Sequence, residues 1–83
     1  MADDRDKMLR FRTGSELVRR IKENGATARE VAKFLRISPT TISHWQSGDP
    51  DRLRRVKAPT DEQLLRLAGF LSYRVKSNLD KLM

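Results

Sequence analysis

Residues 27–48 read TAREVAKFLRISPTTISHWQSG, and the punctuation of this stretch decides the fold. Thr27 followed three residues later by Glu30 is a capping box, in which the hydroxyl meets the Glu30 amide and the carboxylate reaches back. Val31, Ala32 and Leu35 then recur at helical spacing. After Arg36-Ile37, Ser38 is an N-cap and Pro39 takes the first helical position, where its missing N–H costs nothing. Ile42 and Trp45 turn inward at three-residue spacing, and Gly48 supplies the left-handed backbone that closes the helix. Two short helices about three residues apart, each with a narrow buried stripe, form a unit in which one braces the other. The other positions of the second helix, Pro39, Thr40, Thr41, Ser43, His44 and Gln46, are small or polar. Such a face suits a helix that enters the major groove of DNA.

Upstream, Leu17, Val18 and Ile21 define one face of an earlier helix, closed at Asn24-Gly25. Arg19, Arg20 and Lys22 alternate with Glu16 and Glu23 on what reads as its solvated face. Residues 1–13 mix charges without clear periodicity and read as a flexible tail, or as a basic arm for DNA because Arg10 and Arg12 adjoin the helix. The folded domain is expected over residues 14–83. Downstream, residues 49–59 hold two prolines and no apolar stripe, so they read as a long connection. It is basic: Arg52, Arg54, Arg55 and Lys57 oppose Asp49 and Asp51. Thr60 and Gln63 form a second capping box ahead of Leu64, Leu67, Ala68 and Leu71. Ser72-Tyr73 reads as a break, leaving Val75, Leu79 and Leu82 for a short fifth helix that is either core or half of a dimer interface.

Eighty-three residues leave room for one core and no second lobe. Eighteen Lys and Arg against eleven Asp and Glu give a formal charge of +7, which favours a polyanionic partner. No apolar run is long enough to span a bilayer and MADDRDKMLR lacks the apolar stretch of a signal peptide, so the expected setting is the cytoplasm. The absence of cysteine excludes disulfides and thiolate chemistry, and with His44 the single histidine the ordinary structural zinc sites go too. No nucleophile with a base and no phosphate-cradling glycine loop is present. A non-enzymatic protein without metal, cofactor or small-molecule substrate is therefore expected.

The run 28–48 resembles the helix-turn-helix of the Cro and phage-repressor (Xre-type) family, in which a pattern like Glu-x-Ala-x-x-x-Gly-Val-Ser-x-x-Thr-Ile-Ser-x-Trp-x-x-Gly recurs. Glu30, Ala32, Ile37-Ser38, Thr41-Ile42-Ser43, Trp45 and Gly48 carry the match. The stretch 61–71, DEQLLRLAGFL, looks like the family's next helix. The resemblance covers roughly Ser15 to Leu82 and implies an all-α, five-helix, lambda-repressor-like DNA-binding domain with its helix-turn-helix at 27–48. It also implies a homodimer, at least on DNA, on a palindromic operator in a prokaryotic or phage setting near the nucleoid. Three features depart from the pattern. Arg36 stands where glycine is usual, Ala28 where a phosphate-binding glutamine is common, and the connection before the next helix is longer.

Family roles carried onto this chain make Pro39, Thr40, Ser43 and His44 the base-reading candidates. Phosphate contacts are expected from Thr27, Arg29, Ser38, Thr41, Arg52, Arg54, Arg55 and Lys57, which surround the two helix N-termini or follow the second helix. Trp45 is in phase with Ile42 and reads as core, not as a stacking platform. The function expected from this pattern is a sequence-specific, double-stranded-DNA-binding transcriptional regulator, acting as a repressor of phage-repressor, Cro or antitoxin type. Two alternatives use the same fold: a protein-interaction module that holds a toxin or polymerase subunit, and a DNA-architectural or recombination accessory factor.

Overall fold

The computed structural model describes residues 2–82, with side chains from Arg5 onward. Met1 and Met83, which belong to the ranges expected for the tail and the domain, lie outside the described residues. The chain is all-α. Four helices, α1 (Ala2–Glu23), α2 (Ala28–Leu35), α3 (Pro39–Ser47) and α4 (Asp61–Leu82), are joined by short connections and one 3-10 turn over Pro50–Arg54.

The tail expected over residues 1–13 is instead the first half of α1. Its apolar line is thin, because its inward-facing large side chains are Met8 and Phe11, set among many charges and joined to the expected stripe only through Val18 and Ile21 further on. Phe11, Val18 and Ile21 are nevertheless fully buried. Each such side chain contributes roughly 1.5–3 kcal/mol by leaving water, enough to hold a segment whose own signal is weak. Arg10 ties this half of α1 to the chain ahead of α4, its Nε donating to the Pro59 carbonyl at 3.1 Å. It also pairs with Asp6 one turn back. Gly14 lies beneath Pro59, and a Cβ there would sit 2.6 Å from the proline ring. The glycine thus permits a close helix approach.

α1 ends as expected at Asn24-Gly25. The Gly25 amide reaches Lys22 O at 2.9 Å, the Ala26 amide reaches Ile21 O at 3.3 Å, and Gly25 has φ of 94°. These are the paired bonds of a glycine-terminated helix.

Five helices are expected and four are found among the described residues, because α4 runs unbroken through Ser72-Tyr73. Neither residue breaks a helix by itself, and the inward line continues past them in polar form. Arg74 Nη2 and Asn78 Nδ2 donate to the Asn24 carbonyl at 3.2 and 3.0 Å, fastening the middle of α4 to the end of α1. Ala68, expected on the buried face, is exposed, and so are Val75, Leu79 and Leu82. α1 packs along α4 and α3, α2 packs on α3, and one core joins Phe11, Val18 and Ile21 to Val31, Ile42, Trp45 and Leu67. No helix among the described residues is long and apolar enough to cross a membrane.

Candidate nucleic-acid interface

α2 and α3 begin on the expected caps. Thr27 Oγ1 accepts the Glu30 amide at 3.1 Å and lies 3.4 Å from the Glu30 carboxylate, so the acid returns to the hydroxyl and not to the backbone. Ser38 Oγ accepts the Thr40 amide at 3.2 Å with Pro39 in the first turn. Arg36 closes α2 in the left-handed region, at φ 59° and ψ 44°. The Ile37 amide reaches Ala32 O at 3.0 Å and the Arg36 amide reaches Lys33 O at 3.3 Å, the same paired closure that Gly25 makes for α1. A bulky residue therefore occupies the position where the pattern of such turns has glycine.

The burial of α3 divides it cleanly. Ile42 and Trp45 are buried, while Pro39, Thr40 and Ser43 are exposed and His44 is half-exposed. All four base-reading candidates thus share the outer surface of one helix. Thr41, expected at phosphate, is half-buried in a cleft with Trp45, Val56 and Lys57. Thr27 and Arg29 are exposed at the start of α2, and no hydrogen bond or ion pair joins them to α3 among the described residues.

The connection after α3 is not a free loop. Ser47 Oγ donates to His44 O at 2.7 Å and accepts the Asp49 amide at 3.2 Å, which turns the chain out of α3. Asp49 Oδ1 accepts the Asp51 amide at 3.0 Å and starts the 3-10 turn. Two contacts then hold the basic segment against α3. Arg52 Nη1 lies 3.1 Å from His44 Nδ1, and Trp45 Nε1 donates to Lys57 O at 2.9 Å. Leu53 and Val56 pack on the core between them. Arg52, Arg54, Arg55 and Lys57 are all exposed, and among the described residues none pairs with a carboxylate.

The Arg52 contact fixes the chemistry of His44. A guanidinium has only donors, so the imidazole nitrogen facing it is an acceptor and the ring proton of neutral His44 sits on Nε2. The outer edge of the ring thereby becomes a donor.

Two positioning residues are not visible in the sequence pattern. Arg19 Nε reaches Gln46 O at 3.4 Å, and Lys22 Nζ donates to Gln46 Oε1 at 2.9 Å. Residues expected on a solvated face of α1 therefore hold the C-terminal end of α3, where cations also complement the helix dipole. Gln46 is drawn toward α1 by this pair. Arg19 also lies against Gly48, where a Cβ would fall 2.8 Å from Nη2. Contacts between residues 24 and 27 positions apart leave no local trace in sequence.

No family of known proteins, no curated protein and no solved structure matches the chain at a significant level.

Proposed function

We propose that the chain is a sequence-specific, double-stranded-DNA-binding transcriptional repressor whose α2 and α3 form a helix-turn-helix, and that it acts as a homodimer on a palindromic site. One observation carries this reading: four cations between Arg52 and Lys57, none paired with a carboxylate among the described residues, are pinned beside the exposed, small and polar face of α3. Thr40, Ser43 and the Nε2 donor of His44 offer contacts to base edges, while Arg54, Arg55 and Lys57 offer charge to the flanking phosphates. The resemblance of residues 28–48 to phage-repressor helix-turn-helix sequences supports the same assignment, and the net charge of +7 supports the choice of partner. This reading places the protein in the cytoplasm of a prokaryote, at the nucleoid.

Selection of bound duplexes from a random pool tests it. The expected product is a palindrome with half-sites about one DNA turn, ~34 Å, apart. Thr40→Ala with Ser43→Ala should abolish the enrichment while leaving the fold intact, because both side chains are exposed. Recovery of no consensus would sink the proposal. A protein partner is a second reading, favoured by Phe34 and Tyr73, which stand exposed around Phe70 in a wholly apolar hollow. Its binding would survive those two substitutions and fail on Phe34→Ser.

A further inference from the structure

α4 has two unlike faces. Leu64, Leu67, Leu71, Arg74 and Asn78 turn toward the rest of the fold. About a quarter-turn away, Leu65, Ala68, Ser72, Val75, Leu79 and Leu82 follow one another at alternating spacings of three and four residues, and every one is exposed. The exposures of Leu65, Val75, Leu79 and Leu82 are 75%, 38%, 56% and 82%. Alternating steps of three and four keep a line of side chains facing a second helix along its whole length. From Leu65 to Leu82 the line extends for about 26 Å along α4. We propose that this line is the seam of a homodimer, in which α4 of one copy lies parallel and in register with α4 of another.

Charge selects both the occupant and its direction. On one flank of the seam, Val75 and Leu71 share a groove with Glu16, Arg20 and Glu23 of α1. Glu16 is engaged by Arg20 at 2.9 Å, whereas Glu23 has no cation partner among the described residues. Lys76 lies on the other flank of the seam and has no carboxylate partner among them either. In a parallel pair the two-fold axis runs along the helices, so the Lys76 flank of each copy meets the groove flank of the other. Lys76 is thereby brought toward Glu23 of the second copy, twice per dimer. In an antiparallel pair centred on Ser72 like flanks meet, Lys76 falls opposite Ala68 and Gly69, and Glu23 gains nothing. Charged residues beside such a seam commonly set its orientation in this way. The small Ala68 and Ser72 allow close approach at mid-helix, and the leucines fill the ends.

This seam supplies the contact surface for the homodimer proposed above, yet it rests on α4 alone and is tested without DNA. The chain has no cysteine, so a single introduced thiol reports on one position. Sedimentation equilibrium should show a concentration-dependent dimer. Leu79→Lys should render it monomeric with an unchanged helical circular-dichroism signal. Ser72→Cys and Leu79→Cys should each give a disulfide-linked dimer on mild oxidation, whereas an antiparallel seam would permit only the first. Glu23→Lys should weaken dimerisation about three- to tenfold, and adding Lys76→Glu in the same chain should restore it. A protein that stays monomeric at its highest soluble concentration overturns the proposal. So does cross-linking at position 72 without cross-linking at 79, or a dimer that Leu79→Lys leaves intact and Phe34→Ser dissolves. Operator binding by a persistent monomer would remove the seam and leave the DNA reading standing.

Discussion

At the scale of single residues, Arg36 is the most exposed to test. Its left-handed backbone closes α2 with the same pair of bonds that Gly25 makes at the end of α1. A residue with a Cβ is held there at a cost of roughly 1–2 kcal/mol, part of which glycine would return through the greater freedom of its unfolded chain. Arg36→Gly should therefore stabilise the protein by about 0.5–1 kcal/mol, read as a higher urea midpoint with an unchanged slope. His44 gives a second expectation. With Arg52 at 3.1 Å from Nδ1, nitrogen NMR should find neutral His44 as the Nε2–H tautomer beyond the preference a free histidine already has for it, and Arg52→Ala should return it to that ordinary preference. A donor at Nε2 prefers acceptors such as guanine N7 and O6, adenine N7 or thymine O4 in the major groove. That arginine holds a position where the resembled family has glycine is visible in the sequence, but whether the chain there takes the left-handed backbone or a different turn is not; the structure has the former. The polarity of His44 was not legible there either, since it depends on a residue eight positions later that the 3-10 turn folds back.

Among the elements, those that announce themselves by capping residues were legible and those that depend on packing were not. Thr27 with Glu30, Ser38 with Pro39, and Thr60 with Gln63 mark the starts of α2, α3 and α4. In the last case the box is fully reciprocal, at 2.9 and 3.1 Å. The first half of α1 carries no such mark, and Met8 and Phe11 are too sparse among charges to show a period. The apparent break at Ser72-Tyr73 reflected a loss of apolar residues where the helix turns to polar clasps, Arg74 and Asn78, instead. The early extent of α1 is checkable through Gly14. Since Pro59 is a rigid ring 2.6 Å from the position of a Cβ, Gly14→Ala should destabilise the fold by about 1–3 kcal/mol. A neutral effect in thermal unfolding would mean that α1 does not press on this segment.

For the whole molecule, the charge distribution matters more than its sum. The acids of α1 and of the first turn of α4 are partly engaged by neighbouring arginines, at Glu16–Arg20 and Glu62–Arg66, while the cations following α3 are left open. DNA affinity should fall steeply with salt, and Arg54→Ala or Arg55→Ala should each reduce the slope of log affinity against log salt by about one unit. A slope indifferent to both substitutions would move the phosphate contacts elsewhere. The clasp of Asn24 by side chains 50 and 54 positions further along has a different consequence, one that concerns the order in which the protein is made. α1 is synthesised first and carries Phe11, Val18 and Ile21, but the helix that covers it along its length is α4, the last of the described elements. During translation α1, α2 and α3 therefore wait with an apolar flank uncovered until α4 leaves the ribosome, and the nascent chain is most open to aggregation and proteolysis in that interval.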